Sequence, residues 1–246
     1  ATAVVESANL AELVVDFESF LLEHQLGGQV QLQGNQATFS LIGKAAHGST
    51  PSKGVNAATF LAKYLHRFEF DQAGAESFLH LLADHLHLDF EGVNLGVAHR
   101  DPVMQELTMN VGLVNYQDDK GGSVVANFRY PKGTDPEKMA AQTAQRLAGH
   151  DLSVEWGEFK EPHYVSVDDP MVKELLAVYE EQTGLEGHEM TIGGGTYGRL
   201  MPRGVAYGAL FPDSIDTMHQ ANEFIAIDDL LKATAIYAEA IYRITR

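Results

Sequence analysis

Apolar positions in the first seventy residues switch between the two periods of regular structure. Ala3-Val-Val reads as a strand. Leu10, Leu13, Val14, Phe17, Phe20 and Leu21 then recur at three- and four-residue spacing, which predicts an amphipathic helix. Positions 30–32 and 37–42 alternate around Gly34-Asn35, a hairpin signal, and a second helix carries Phe60, Leu61, Tyr64, Leu65 and Phe68. A related pattern returns further on: strands at 107–114 and 123–130, a helix opened by Asp135-Pro136, and a strand at 152–156. Residues 71–104 between them are irregular and rich in His and Asp, and nothing in their pattern assigns them a job. The repetition predicts an α+β domain over residues 1–161, built as two ferredoxin-like sandwich halves.

The character changes over 162–246. Asp169-Pro170 caps a helix with Val172, Leu175, Leu176 and Tyr179 on one face, and Gly184 ends it. A short strand at 190–192 is expected to run into Gly193-Gly-Gly-Thr-Tyr-Gly-Arg199. A second, at 204–211, is apolar enough to be buried on both faces, and a last helix starts at Asp228 with Leu230, Ala233, Tyr237, Ile241 and Ile244. So few strands make a poor independent α/β domain, because a parallel sheet wants neighbouring strands and covered faces. This segment is expected to be the C-terminal part of an α/β domain whose other strands lie upstream. The strand-like start at Ala1, without an initiator Met, agrees with a cut N-terminus.

Composition narrows the classes of function. A chain of 246 residues with 45% hydrophobic content can bury a sizeable core. A net charge of -17 argues against nucleic acid as a partner, since that affinity comes from Lys and Arg replacing counterions. There is no cysteine, so any zinc must be held by His, Asp or Glu, and a reducing cytosol fits. No apolar run approaches the roughly 20 residues of a membrane span, and no signal peptide is visible, so the expected location is the cytoplasm, away from membranes.

Four segments could carry chemistry. In Gly43-Lys-Ala-Ala-His47-Gly-Ser-Thr-Pro51-Ser-Lys-Gly54-Val-Asn56 a strand ends, a loop presents a His, and a helix follows. His47 could donate to the oxyanion formed when water attacks a carbonyl, or it could merely cap the helix. In Thr217-Met-His219-Gln-Ala-Asn-Glu223 a His follows an apolar strand, at the strand end where ligands of α/β sheets sit. Zinc ligation and helix capping both remain open for His219, because catalytic zinc needs three or more protein ligands and no HExxH motif occurs. The glycines at 193–195 would let backbone N–H groups approach a carboxylate or oxyanion, while the Walker lysine of a nucleotide loop is absent. Arg129, in Asn127-Phe-Arg-Tyr-Pro131, either forks onto a substrate carboxylate or pairs with a structural acid. His85 and His87 would share a face if extended, and a solvated face is the expectation there.

Together these four ordered segments resemble the metallopeptidase family that includes the aminoacylases, carnosinases and PepV-type dipeptidases, with the PepV-type group the nearest in pattern over essentially the whole chain. The resemblance implies a lid domain at 1–161 followed by the C-terminal part of a zinc-peptidase catalytic domain at 162–246. It implies two zinc ions per complete active site and dipeptide substrates. The remaining ligands and the Glu general base would lie on a missing N-terminal catalytic segment, so the isolated chain is expected to be inactive. By resemblance His47 is the lid residue that stabilises the tetrahedral intermediate, and Arg129 binds the substrate's C-terminal carboxylate. Gly194, Gly195 and Thr196 contact the same end of the substrate, and His219 is the zinc ligand contributed late in the chain. Arg199 matches without an implied role. The competing class is a non-catalytic lid-like module for association or peptide binding.

Overall fold

The computed structural model describes residues 1–6, 10–208, 210–217 and 221–246, a mixed α/β chain. It divides into two compact units, Ala1–Pro162 and His163–Arg246.

In the first unit, strand β1 (Thr2–Glu6) and strand β2 (Gly27–Gln33) flank the central strand β3 (Gln36–Ile42), all antiparallel. Gln33 pairs with Gln36, so the turn between them is Gly34-Asn35, with Gly34 in the left-handed region at φ 63°. Helix α1 (Leu10–Glu23) buries Leu13, Phe17, Phe20 and Leu21, the stripe its spacing predicts. β3 answers with Ala37, Phe39 and Leu41, buried at every second position. Helix α2 (Ala57–Leu65) contributes Leu61, Ala62, Tyr64 and Leu65. The three elements meet in one aromatic knot: ring centres of Phe17 and Phe39 lie 5.0 Å apart, Phe17 and Tyr64 4.8 Å, and Phe39 and Tyr64 5.6 Å. The Tyr64 hydroxyl donates to the Leu13 carbonyl within this core, and burial pushes its phenol well above the ordinary range.

Residues 71–104 are more regular than their composition suggests. Helix α3 (Ala73–His80) passes directly into a turn of π-helix, Leu81–Leu86, which buries Leu82, Ala83 and Leu86. A small hairpin, β4 (Arg100–Asp101) with β5 (Gln105–Glu106), precedes the long hairpin of β6 (Thr108–Gln117) and β7 (Gly121–Arg129). Gly112 is an extra residue in β6, between the Val111–Ala126 and Leu113–Val125 pairs. Helix α4 (Pro136–Arg146) starts as its signal predicts, with the Asp135 carboxylate accepting from the Glu137 and Lys138 amides.

The strand expected at 152–156 is absent. Ring contacts hold this segment beside β7 in place of a ladder: Trp156 lies 5.7 Å from Phe128, and Phe159 stacks on Tyr130 at 4.4 Å. The Tyr130 hydroxyl also brackets Lys160, accepting from its amide and donating to its carbonyl.

The second unit packs helix α5 (Pro170–Thr183) against helix α6 (Ile227–Ile244) through Leu175, Val178, Ile236 and Ala240. Asp169 caps α5, and hydrogen bonds from Arg203 hold its carboxyl down to about 2. Gly184 ends α5 in the left-handed region at φ 72°. Arg243 on α6 reaches Glu174 and Glu181 on α5. The strands expected at 190–192 and 204–211 do not form among the described residues, and Met190, Ile192 and Leu210 are exposed. An extended segment becomes a strand only by pairing its amides and carbonyls with a neighbour, and the described residues of this unit offer none.

The aromatic knot predicts a graded response. Phe17→Ala should destabilise the first unit by about 3–5 kcal/mol in urea unfolding, because the surrounding rings cannot close the cavity. Tyr64→Phe, which removes one buried hydrogen bond and keeps the ring, should cost only about 0.5–1.5 kcal/mol.

Candidate functional site

The His47 loop is pinched at its neck. Lys44 and Val55 form an isolated antiparallel bridge, each amide donating to the other's carbonyl at 3.0 and 2.9 Å. Two glycines make this approach possible. A Cβ on Gly43 would stand 2.5 Å from the Val55 carbonyl oxygen, and one on Gly54 2.7 Å from that of Lys44. Inside the neck, the His47 carbonyl accepts from the Thr50 amide, and Pro51–Lys53 forms a single 3-10 turn. His47 is exposed. Its Nδ1 lies 2.7 Å from the Ser49 hydroxyl and 3.3 Å from the Ser49 amide nitrogen. A backbone N–H can only donate, so Nδ1 is the acceptor and the ring proton sits on Nε2. The loop thereby holds the imidazole through Nδ1.

Arg129 closes β7 and comes up against this loop. A Cβ on Gly48 would stand 3.7 Å from Arg129 Nη2 and 3.8 Å from Asn110 Nδ2. Asn110 pairs with Asn127 in the hairpin register and Thr108 with Arg129, so these side chains share one face. The bulge residue Gly112 sits beside the same amides, its would-be Cβ 3.3 Å from Asn127 Nδ2. The structure therefore brings Arg129 up to the His47 loop and adds Asn110 and Asn127, which the sequence reading did not single out. Polar residues two apart in an otherwise apolar strand were the available signal.

Asn56 couples the loop to the hairpin. Its Oδ1 accepts from the Ala58 and Thr59 amides at the start of α2, and its Nδ2 donates to the Val111 carbonyl at 2.9 Å, beside the bulge.

In the second unit, residues 193–195 are exposed and irregular, and Thr196 leads into a 3-10 turn, Tyr197–Leu200. Arg199 folds back on its own loop, Nη1 lying 3.2 Å from where a Gly195 Cβ would stand. Gly198 and Gly204 touch backbone to backbone, a Cβ on Gly204 falling 2.3 Å from the Gly198 oxygen, while His163 Nε2 donates to the Gly204 carbonyl at 2.6 Å. His219 lies outside the described residues. Its flanks are fixed: the Thr217 hydroxyl both donates to the Phe224 carbonyl and accepts from its amide, each at 3.1 Å. Among the described residues of this unit no three His, Asp or Glu side chains converge on a point that could hold a metal ion. These residues alone do not fit a di-zinc centre.

His85 and His87 depart from the expected solvated face. His87 is half-buried, with Nδ1 3.2 Å from the Thr59 hydroxyl and its ring 4.5 Å from that of Phe60. Burial pushes its imidazole down from 6.5 to about 4. His85 falls on the π-turn, near His80 and His150.

The chain belongs to the peptidase family M20/M25/M40, whose pattern matches residues 18–243. It is 45% identical over 245 residues to the Beta-Ala-Xaa dipeptidase of Lactobacillus delbrueckii subsp. lactis, covering 99% of this chain and 52% of that protein. Two further relatives carry the name "Putative dipeptidase". One, from Staphylococcus haemolyticus, is 37% identical over 95% of this chain and 50% of its own length. The other, from Bacillus subtilis, is 38% identical over 100% and 52% respectively. The chain thus spans about half the length of the curated relatives it matches. No helix among the described residues is long and apolar enough to cross a membrane.

Two measurements test this geometry. Asn56→Asp keeps the cap acceptor and deletes the donor to Val111, so it should cost about 1–3 kcal/mol of stability in urea unfolding, whereas Asn56→Ser, which can also cap, should cost no more than that. For His87 the folded pKa lies below the unfolded one, so the unfolded chain takes up the extra proton. Its contribution is complete above pH 6.5 and shrinks as the pH falls towards about 4. The urea midpoint should drop over that window, and less steeply in His87→Gln; identical slopes would refute the assignment.

Proposed function

We propose that this chain is part of a metal-dependent dipeptidase acting in the cytoplasm, with residues 1–161 as a lid of two ferredoxin-like halves and 162–246 as the C-terminal part of the catalytic domain. The observation that supports the reading is the packing of Arg129 against the His47 loop, its Nη2 3.7 Å from where a Gly48 Cβ would stand. In a dipeptide the scissile carbonyl carbon and the terminal carboxylate carbon are three bonds apart, at most about 3.8 Å. A donor for the first and a cation for the second must therefore lie close together, a requirement that Arg129 packed against the loop of His47 suits. The dipeptidase named among the relatives agrees with that substrate class.

In this reading, closure of the lid excludes water and delivers Nε2–H of His47 to the oxygen on which negative charge develops. Arg129 grips the carboxylate in two-pronged fashion, with Asn110 and Asn127 as neutral donors beside it. Gly194, Gly195 and Thr196 bind the same end of the substrate through backbone amides and a hydroxyl. His219 is the one zinc ligand this chain contributes; the other ligands of two zinc ions and the general base belong to the remainder of the whole protein. The metal, when bound, supplies a water of lowered pKa and polarises the carbonyl.

In the whole protein, His47→Ala should lower kcat by about 10²–10³ with zinc content unchanged. Arg129→Ala should raise KM for dipeptides far more than for their C-terminal amides. The isolated 246-residue chain should hydrolyse neither. Loss of zinc in His47→Ala would make that residue a ligand, and a zinc-free whole protein would instead support a non-catalytic peptide-binding module.

A further inference from the structure

Away from the His47 loop, the first unit carries a second group of histidines. His80, His85 and His150 each offer one ring nitrogen, and these nitrogens all lie within 4.8 Å of one another. The rings pack at 4.5 Å for His80 with His150, 5.2 Å for His80 with His85, and 6.0 Å for His85 with His150. We propose that these three imidazoles form a binding site for a divalent transition metal of the zinc class, with Asp84 as the orienting carboxylate.

The backbone explains the convergence. His80 ends α3 and His85 lies on the π-turn. On an α-helix, residues five apart point about 140° away from each other, given 3.6 residues per turn. A π-turn closes i to i+5, so five residues make roughly one turn and His85 comes under His80. Single π-turns inside helices concentrate at functional positions because they sacrifice regular hydrogen bonding. His150 arrives from the chain just beyond α4, seventy and sixty-five residues later in sequence.

The polar contacts of the rings suit a ligand set. Nε2 of His85 is buried without a hydrogen-bond partner, an arrangement that costs about 1–3 kcal/mol unless something occupies it. His80 is oriented from behind: its Nδ1 lies 2.8 Å from Asp84 Oδ2, which leaves Nε2 as the coordinating atom. Such a carboxylate–histidine pair is the usual support of a metal-bound imidazole. Asp84 is itself held by His66 at 3.0 Å and Lys63 at 3.1 Å. Zinc–nitrogen bonds of 2.0–2.1 Å bring tetrahedral ligand atoms to about 3.3 Å, so small ring rotations from the observed spacing complete the site. His66, His80 and His150 also line a cleft of about 420 Å³, which gives a fourth position to water or a small anion.

This inference rests on the first unit alone and stands or falls separately from the dipeptidase reading. The test is a zinc titration by calorimetry on the 246-residue chain carrying His219→Ala, so that the proposed catalytic ligand is removed. One zinc should bind per chain, and cobalt in its place should give the intense visible absorption of a tetrahedral centre. His85→Gln and His150→Gln should each weaken binding at least tenfold, while His47→Ala leaves it unchanged. His150 lies outside regular structure, so its variant decides the matter if His85→Gln fails to fold. Absence of zinc binding in the His219→Ala chain, or binding that survives His150→Gln undiminished, would overturn the proposal.

Discussion

Asn56 is the constraint on which the candidate site depends. One side chain serves as helix cap and as interstrand tie, accepting from Ala58 and Thr59 while donating to Val111. The Val111 carbonyl lies beside an extra residue in the ladder, where regular pairing lapses, and a buried carbonyl without a donor is costly. Asn56 supplies that donor from the residue that follows the neck of the His47 loop. It ties the start of α2, just beyond the loop, to the hairpin that carries Arg129.

Glycine makes the remaining geometry possible. Gly43 and Gly54 let the neck close, and Gly112 makes room for the Asn127 amide. The polar atoms that would meet a substrate are thus held by backbone that has surrendered its side chains. Rigidity comes from underneath, where Phe39 and Leu41 of β3 are locked into the core that Phe17 and Tyr64 complete.

What could be read in the sequence was what local chemistry decides. The α1 stripe, the Gly34-Asn35 turn and the caps at Asp135 and Asp169 all depend on neighbours within a few residues, and each formed. Segments at 152–156, 190–192 and 204–211 carry strand-like residues, but a strand is a property of two segments, and the partner was not there to be read. The helix at 73–80 was missed for another reason: with Gly74, Glu76 and Ser77 it carries only Phe78 and Leu79 as large apolar residues, and the register changes at the π-turn. For the site, the His47 and Arg129 motifs were visible singly, while their adjacency across Gly48 is tertiary. The histidine cluster was invisible because His66, His80, His85 and His150 are joined by no sequence period.

Helix α2 connects the two histidine groups of the first unit. Its N-terminus is fixed by Asn56 beside the His47 loop, and near its other end Lys63 and His66 hold Asp84. Thr59, between them, meets His87, which directly follows the π-turn. The helix is nine residues long, about 13 Å at 1.5 Å per residue. One short helix thus touches both histidine groups, through Asn56 at its start and through Asp84 at its end.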